Sequence, residues 1–281
     1  MQQRDVFIQE VYHAAERDGN IMFLSADFGS PNLDIFRQNL PSQFVHCGIS
    51  EQNMVNVAVG LALAGKKPFI YAMSPFFLRA YEQLKMAAMH GVPITVISVG
   101  AGLSYAGSGP THYATEDIAC YRTLVDTEVY TASTNNLSRA LALQALVSKK
   151  MIVVRLERGE SPELYDENYY PGDGYSILPH ANDQQPCVAA GYLVHWLKMR
   201  GKNVIDLYRQ KPISPHLVMK LGDYAFVHCY EEQYAAGGMG AALMEALGDA
   251  GKKTRVIRHT LPDRAIYENG TRDNLLEFMW L

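Results

Sequence analysis

One carboxylate stands out among the side chains whose type and position could do chemistry. Glu51 lies in the first turn of a predicted helix over residues 51–64, and that helix is apolar nearly all round. A helix of this composition is predicted to be buried. Burial favours the neutral form of a carboxyl group, and a partly protonated carboxyl is typical of acid–base catalysts. The alternative, an exposed carboxylate that stabilises the helix N-terminus, is equally compatible with the residues alone.

Two glycine-containing segments look like ligand-binding motifs but are predicted to be turns. Gly172-Asp173-Gly174, with Asn203 further along the chain, has the residue types of a metal–diphosphate site. Such a site needs a strand that leads into the turn, whereas this segment lies among prolines and tyrosines. Gly100-Ala101-Gly102 follows a predicted strand, but Tyr105 stands where a dinucleotide fingerprint requires a third glycine.

The composition excludes several classes of protein. The 281 residues suggest two domains, at roughly 100–200 residues per domain. Apolar residues make up 48%, which is enough for packed cores, and the formal net charge of −4 comes without a stripe of Lys and Arg. We therefore expect no nucleic-acid partner. No apolar run approaches the roughly 18 residues of a membrane span, so we expect no membrane association.

The N-terminal residues and the cysteines both indicate a cytoplasmic location. Residues 1–20 form a predicted amphipathic helix that carries charges, which is unlike a signal peptide. The cysteines are far apart and have neither disulfide-framework nor metal-ligand spacing, so we expect no disulfide and no metal ligands in this chain. The cysteines are Cys47, Cys120, Cys187 and Cys229.

Continuous apolar runs rich in β-branched residues predict buried strands of a mostly parallel sheet. In the first half these runs lie at 21–25, 44–45, 68–72, 94–99 and 151–155, with helices predicted at 51–64, 78–89 and 137–148. The second half repeats the alternation, with strands at 187–190, 203–207 and 224–229 and a helix from the glycines at 237–240 to about residue 247.

A change in composition separates the two halves. Residues 159–186 are rich in proline and poor in aliphatic side chains, which is typical of a segment with little regular structure. The sequence therefore predicts two three-layer α/β domains, the first with a mostly parallel sheet. The predicted boundaries are 1–160 for the first domain, 161–186 for a linker and 187–281 for the second domain.

Several segments resemble the transketolases and deoxyxylulose-phosphate synthases, in the same order as in that family. The first, at 48–65, reads GISEQNMVNVAVGLALAG and resembles the family's stretch with the cofactor-activating glutamate. It is followed by SPFFLRAYEQLK, GSGPTH and IVVRLERG at 74–85, 107–112 and 152–159. The second half, with VIDLYRQKPI and YEEQYAAGGMGAAL, is similar to the family's C-terminal domain. The resemblance covers nearly the whole chain.

The resemblance implies a pyrimidine-binding domain followed by a transketolase C-terminal-like domain. The family's preceding domain, which binds the diphosphate and the metal, has no counterpart in these residues. The chain therefore resembles the C-terminal subunit of a split, two-component transketolase. The implied partner is an N-terminal subunit that carries its own GDG motif, with two copies of each chain in the assembly. The implied cofactors are thiamine diphosphate and Mg²⁺ or Ca²⁺, with the metal ligands on the partner chain.

The resemblance also assigns residues to the cofactor. Glu51 is expected to hydrogen-bond a pyrimidine ring nitrogen, which favours the imino form of the ring and makes Glu51 a catalytic residue. Phe76 is expected to stack on the pyrimidine, since a flat apolar ring suits offset packing. Met73 and Arg79 flank Phe76 and are expected to line the same pocket. Asp27 matches an acidic residue of the family near the cofactor.

Substrate contacts are implied at four positions. His112, in the segment that resembles the family's GPTH loop, is expected to contact substrate oxygens and to shuttle protons. Arg4 and Arg158 match arginines that bind a substrate phosphate, and Arg suits that contact because it can be bidentate. Ser108 stands where transketolases carry an acid that contacts a donor hydroxyl, so sugar stereochemistry is expected to be recognised differently here.

The function implied is transfer of a two-carbon ketol unit from a ketose, phosphorylated or not, to an aldehyde acceptor, in an enzyme active only with its partner subunit. One alternative is the β subunit of a 2-oxo-acid dehydrogenase, which shares the fold. Another is a non-catalytic subunit that has kept the fold. The GPTH segment and Arg158 favour sugar chemistry, and Glu51, Phe76 and His112 together favour catalysis.

Overall fold

The computed structural model describes residues 1–26, 29–180 and 185–280. Strands and helices alternate along most of this chain. The strands are β1 (Ile21–Ala26), β2 (Phe44–Gly48), β3 (Lys67–Met73), β4 (Thr95–Val99), β5 (Thr127–Thr131), β6 (Met151–Leu156), β7 (Ser176–Leu178), β8 (Pro186–Ala189), β9 (Asn203–Asp206), β10 (Arg209–Lys211), β11 (Phe226–Tyr234) and β12 (Arg255–Leu261). The helices are α1 (Gln3–Ala15), α2 (Pro31–Asn39), α3 (Glu51–Leu63), α4 (Ser74–Phe77), α5 (Tyr81–Met89), α6 (Asp117–Arg122), α7 (Asn135–Val147), α8 (Tyr192–Met199), α9 (Pro215–Leu221), α10 (Met239–Asp249) and α11 (Arg272–Trp280).

The first sheet is almost entirely parallel and is covered on both faces. Among the described residues it has seven strands in the order β10-β5-β6-β4-β3-β1-β2, and β10 alone is antiparallel to its neighbour. Strands β1, β4 and β6 are buried along their whole length. Helices α1, α2 and α7 bury one face, and α3, α5 and α6 bury the other. Apolar side chains on both sides of each strand explain the continuous apolar runs.

The second sheet has the same three-layer construction. In the part of the chain that the structure describes, it has five strands in the order β12-β11-β8-β9-β7. Helices α8 and α11 pack on one face, and α9 and α10 pack on the other. The predicted fold of two three-layer α/β units is therefore confirmed.

The two halves of the chain interlock. Strand β10 leaves the second half and pairs antiparallel with β5 at the edge of the first sheet, with Arg209 opposite Tyr130. The segment predicted as a linker contains β7, which pairs antiparallel with β9 in the second sheet. Strands of three residues are too short to show a periodicity, so the sequence does not reveal them. The boundaries at 1–160, 161–186 and 187–281 stay a prediction.

Three predicted elements differ from the observed ones. Helix α3 is buried on one face only, through Met54, Val55 and Ala58, whereas Leu63 is 67% exposed. The expectation of burial all round is therefore wrong, because apolar composition cannot show which face has a neighbour. The predicted helix at 78–89 is interrupted by a 3₁₀ turn (Leu78–Ala80) before α5. The strand predicted at 224–229 extends as β11 to Tyr234 and carries buried polar residues.

Two further expectations concern cysteines and membranes. All four cysteines are free thiols, two of them buried. Within residues 1–26, 29–180 and 185–280, none of the helices combines the length and the apolar character that crossing a bilayer requires.

A buried acid joins the two halves. Asp206, at the end of β9, is fully buried, and its Oδ2 accepts hydrogen bonds from Ser133 Oγ at 2.5 Å and Tyr165 Oη at 2.6 Å. Its other oxygen has no hydrogen-bond partner among the described residues. Burial raises the pKa of Asp206 to about 7, while the two hydroxyl hydrogen bonds act in the opposite direction. The native chain therefore holds this proton more tightly than the unfolded chain, where an Asp titrates near pKa ~3.9.

The stability of the chain should therefore fall as pH rises. The contribution of Asp206 is fully present below about pH 4 and is lost as pH rises through the folded pKa. We expect Asp206→Asn to remove a slope of up to about 1.4 kcal/mol per pH unit from the free energy of unfolding over that range. Urea denaturation at pH 5, 6, 7 and 8 measures it, with the exposed Asp249→Asn as control.

The variant should keep some pH dependence, because Glu231 has the same sign. Burial raises the pKa of Glu231 to about 7 as well, against hydrogen bonds from the backbone of Gly240 and Met239. An unchanged slope in Asp206→Asn, with the same slope in the control, would contradict the assignment to Asp206.

Candidate functional site

Glu51 is placed by a tight turn between β2 and α3. Gly48 has φ of 69°, a conformation that suits glycine, and the N–H of Ser50 donates to the Gly48 carbonyl at 2.8 Å. Glu51 follows at once in the first turn of α3, and its side chain is 3% exposed. Its Oε2 is buried and has no hydrogen-bond donor among the described residues. This oxygen can therefore take a hydrogen bond from a bound group.

Arg79 is the cation nearest to this carboxylate. Its Nη1 lies 3.6 Å from Glu51 Oε2, which is an ion-pair distance but too long for a hydrogen bond. The Arg79 side chain is 62% exposed, so water screens the pair and the interaction is weak. The predicted neighbours Glu51 and Arg79 are thus brought together, and Arg79 leaves the carboxylate oxygen open.

Helix α4 lies between the Glu51 helix and the His112 turn. Pro75 in its first turn suits a helix start, and Ser74 Oγ accepts a hydrogen bond from Ser98 Oγ of β4 at 2.8 Å. Met73, at the end of β3, is 4% exposed and supports α4 from below. Phe76 is half-buried, and its ring meets the His112 ring edge-on at a centroid distance of 5.9 Å.

His112 ends a single 3₁₀ turn (Pro110–His112) that follows another such turn (Ala106–Ser108). Its Nδ1 lies 2.9 Å from Thr111 Oγ1, and the imidazole is half-buried. Ser108 is exposed on the preceding turn, and its N–H donates to the Tyr105 carbonyl at 2.8 Å. The structure therefore brings His112 and Phe76 together at the mouth of the site.

Tyr105 is a site residue that the sequence indicates only as a departure from a motif. Its ring packs so closely over Gly100 that a Cβ at Gly100 would lie 2.6 Å from Cε2, and Gly100 has φ of 93°. The ring centroid lies 6.3 Å from that of His112. The Arg158 guanidinium lies over the Tyr105 ring at 4.7 Å, a cation–π contact.

Arg4 joins this group from α1. Burial raises the pKa of Tyr105, and the charges of Arg4 and Arg158 lower it, so both arginines lie near its hydroxyl. Tyr71 of β3 hydrogen-bonds Arg4, and burial raises the pKa of Tyr71 strongly. Two cations thus converge on one side of the site, where an anionic group of a ligand would be stabilised.

The remaining predicted residues lie elsewhere or outside the described ranges. Asp27 falls outside the described residues. Asp173 of the GDG segment is 60% exposed, and its carbonyl accepts from Arg209 Nη2 at 3.0 Å, as expected for a turn. Asn203 begins β9. Sequence reasoning missed Tyr71, whose buried position on β3 looks like ordinary core.

Comparison with known proteins identifies the family. The family model described as "Transketolase, pyrimidine binding domain" matches residues 1–163. The human transketolase is 29% identical over 250 residues, which is 84% of this chain and 40% of the relative. One subunit of an apulose-4-phosphate transketolase from Phocaeicola vulgatus is 27% identical over 288 residues, covering 96% of this chain and 90% of the relative. The chain thus spans less than half the length of the transketolases and most of that bacterial protein.

Solved structures agree with this result. A split-gene transketolase described as an inactive beta4 tetramer superimposes with a TM-score of 0.85 at 25% identity, over 99% of this chain and 93% of that one. A transketolase from Pichia stipitis shares the fold, with a TM-score of 0.79 at 19% identity over 44% of its length. The expected resemblance to the C-terminal subunit of a split transketolase is confirmed, and the chain belongs to the transketolase family.

Proposed function

We propose that this chain is the pyrimidine-side subunit of a two-component transketolase. It transfers a two-carbon ketol unit from a ketose to an aldehyde, in a complex with a partner that binds the cofactor diphosphate. The observation that carries the proposal is the buried Glu51 Oε2, which has no hydrogen-bond donor among the described residues. An unpaired buried acceptor is destabilising, so a position of this kind is expected to be completed by a ligand.

The residues around Glu51 fit an aminopyrimidine ring. A ring nitrogen can share a proton with Glu51 Oε2, and the half-buried Phe76 offers an aromatic face on the neighbouring helix α4. Met73 fixes the end of β3 behind this face. Thiamine diphosphate, when bound, supplies the carbanion chemistry of the reaction. We keep Asp27 and Arg79 as further proposed cofactor contacts.

Substrate is proposed to bind beyond Phe76. His112 can donate to hydroxyl and carbonyl oxygens and can move a proton near neutral pH. The convergence of Arg4 and Arg158 at Tyr105 supports a phosphorylated ketose, because both cations can contact one phosphate. Ser108 is exposed on the turn before His112 and is proposed to contact a sugar hydroxyl.

The proposed assembly contains two copies of each of the two chains, following closed symmetry. The partner carries the GDG motif and the ligands of Mg²⁺ or Ca²⁺, and the complex works in carbohydrate metabolism in the cytoplasm. The split-gene relatives support this arrangement, since they match this chain over nearly their whole length.

Reconstitution tests the proposal. The chain is mixed with the N-terminal subunit from the same source, thiamine diphosphate and Mg²⁺, and is followed by native mass spectrometry and by a ketol-transfer assay. We expect a heteromeric complex that retains the cofactor and consumes a phosphorylated ketose only when both chains are present.

Three results would contradict the proposal. A chain that ignores both the partner and the cofactor would favour a non-catalytic role. Acyl transfer from a 2-oxo acid to a lipoyl domain, without ketol transfer, would favour the dehydrogenase alternative. Equal turnover by this chain without the partner would contradict the two-component arrangement.

A further inference from the structure

A buried ion cluster connects the last helix of the chain to the loop beside the proposed substrate site. Arg272, in the first turn of α11, donates from Nε to Glu232 Oε1 at 2.6 Å and from Nη1 to Glu157 Oε2 at 2.6 Å. Its side chain is 11% exposed, and those of Glu157 and Glu232 are 4% and 6% exposed. Tyr192 covers the guanidinium, with 4.4 Å from Cζ to the ring centroid. Buried charges of this kind hold a fixed geometry, because breaking them leaves an unpaired charge.

The cluster reaches directly into the loop that carries Tyr105. Arg272 Nη2 donates to the Ala101 carbonyl at 3.2 Å. Glu157 Oε2 accepts from Ser104 Oγ at 2.9 Å, and Ser104 Oγ in turn accepts from the N–H of Arg158 at 2.8 Å. A continuous path of hydrogen bonds therefore runs from Arg272 to the backbone of Arg158.

The fit between the loop and the cluster is tight. At Gly102, with φ of 57°, a Cβ would lie 2.4 Å from Glu232 Oε2. At Gly191, which precedes α8, a Cβ would lie 2.5 Å from Glu157 Oε1. Both glycines thus allow the two carboxylates to approach the backbone closely, so the loop has little freedom to shift while the cluster is intact.

The proposed cofactor contacts do not use this cluster, which lies on the side of Tyr105 and Arg158. We propose that Arg272 is a positioning residue: through Glu157 and Ser104 it fixes the Tyr105–Arg158 stack, and so sets the affinity for the anionic end of the substrate. This inference rests on the proposed function. It assigns to the second half of the chain a part in substrate recognition rather than in cofactor binding.

Hydrogen exchange of the full chain tests the positioning without any activity. In Arg272→Gln we expect the amides of residues 100–105 and of Arg158 to exchange at least about tenfold faster, while those of β4 and β6 stay unchanged. The control is Arg200→Gln, which removes a stacked arginine that pairs with Glu277 of the same helix α11 and lies on Trp196. Unchanged protection of the loop, or equal loss of protection throughout the chain, would overturn the proposal.

Kinetics of the reconstituted complex test the consequence for substrate. We expect Arg272→Gln to raise the KM of a phosphorylated ketose roughly 10- to 100-fold with little change in kcat. Because the effect passes through Arg158, it should vanish in an Arg158→Gln background. Additive effects, or a fall in kcat alone, would overturn the inference. An inactive complex would instead count against the proposed function, and the exchange experiment would still decide the role of Arg272.

Discussion

The Glu51→Gln variant is expected to lose about 10²- to 10⁴-fold of the ketol-transfer activity of the assembled enzyme, the usual range for removal of a positioned acid–base group. Glutamine has nearly the same shape, so it fits the site at the start of α3. Its amide cannot share a proton as the carboxyl does at Oε2. The measurement is kcat of the reconstituted complex at saturating cofactor, with the cofactor affinity measured separately.

The change should leave the fold intact. Glu51 Oε2 has no hydrogen-bond partner among the described residues, so no bond within the described part of the chain is lost at that oxygen. The matched control is Glu82→Gln, the same substitution in the first turn of the neighbouring helix α5, where the side chain is exposed. Undiminished turnover in Glu51→Gln would support a non-catalytic subunit.

Removal of Arg155 should have the largest effect on stability. Arg155 on β6 is 2% exposed and makes a two-point contact with the fully buried Asp117, from Nε to Oδ2 at 2.7 Å and from Nη2 to Oδ1 at 3.0 Å. Nη1 also donates to Thr131 Oγ1 at 2.9 Å. In Arg155→Met the Asp117 carboxylate is left buried without its cation. We expect a loss of about 3–5 kcal/mol in the free energy of unfolding.

Two further variants make this prediction specific. Arg155→Met combined with Asp117→Leu should recover most of the loss, because an apolar pair replaces an ion pair without leaving a charge. Arg37→Met breaks an exposed pair with Asp34 at 2.9 Å and should change stability little. Urea denaturation measures all three. Equal stability of Arg155→Met and Arg37→Met would contradict the role given to the buried pair.

The predictability of the elements follows from their burial. Strands β1, β3, β4 and β6 lie inside the first sheet, and their apolar runs reveal them. Strand β12 is an edge strand with the sequence RVIRHTL and alternating exposure, and the apolar-run criterion does not find it. The same criterion misses helix α11, since its two buried leucines give a weak apolar pattern. Elements at the periphery are determined by their neighbours in space, which the sequence does not show.

The site divides in the same way. Glu51 could be identified because an apolar helix follows it directly, so its burial is a local property. Arg272 could not, because its partners Glu157 and Ala101 lie 115 and 171 residues away along the chain. Tyr105 has its ring placed by Gly100, only five residues earlier, yet nothing in that spacing shows that Arg158 covers it.

The pairing of β10 with β5 bears on how such a chain can be divided or recombined. A fragment that ended after the first half would lack β10 and would present the free edge of β5, with its unsatisfied backbone groups, to other molecules. An exposed edge of a buried-type sheet invites strand addition between chains and aggregation. Domain exchange between relatives should therefore join the chains after residue 211, so that each first sheet keeps the strand that protects its edge.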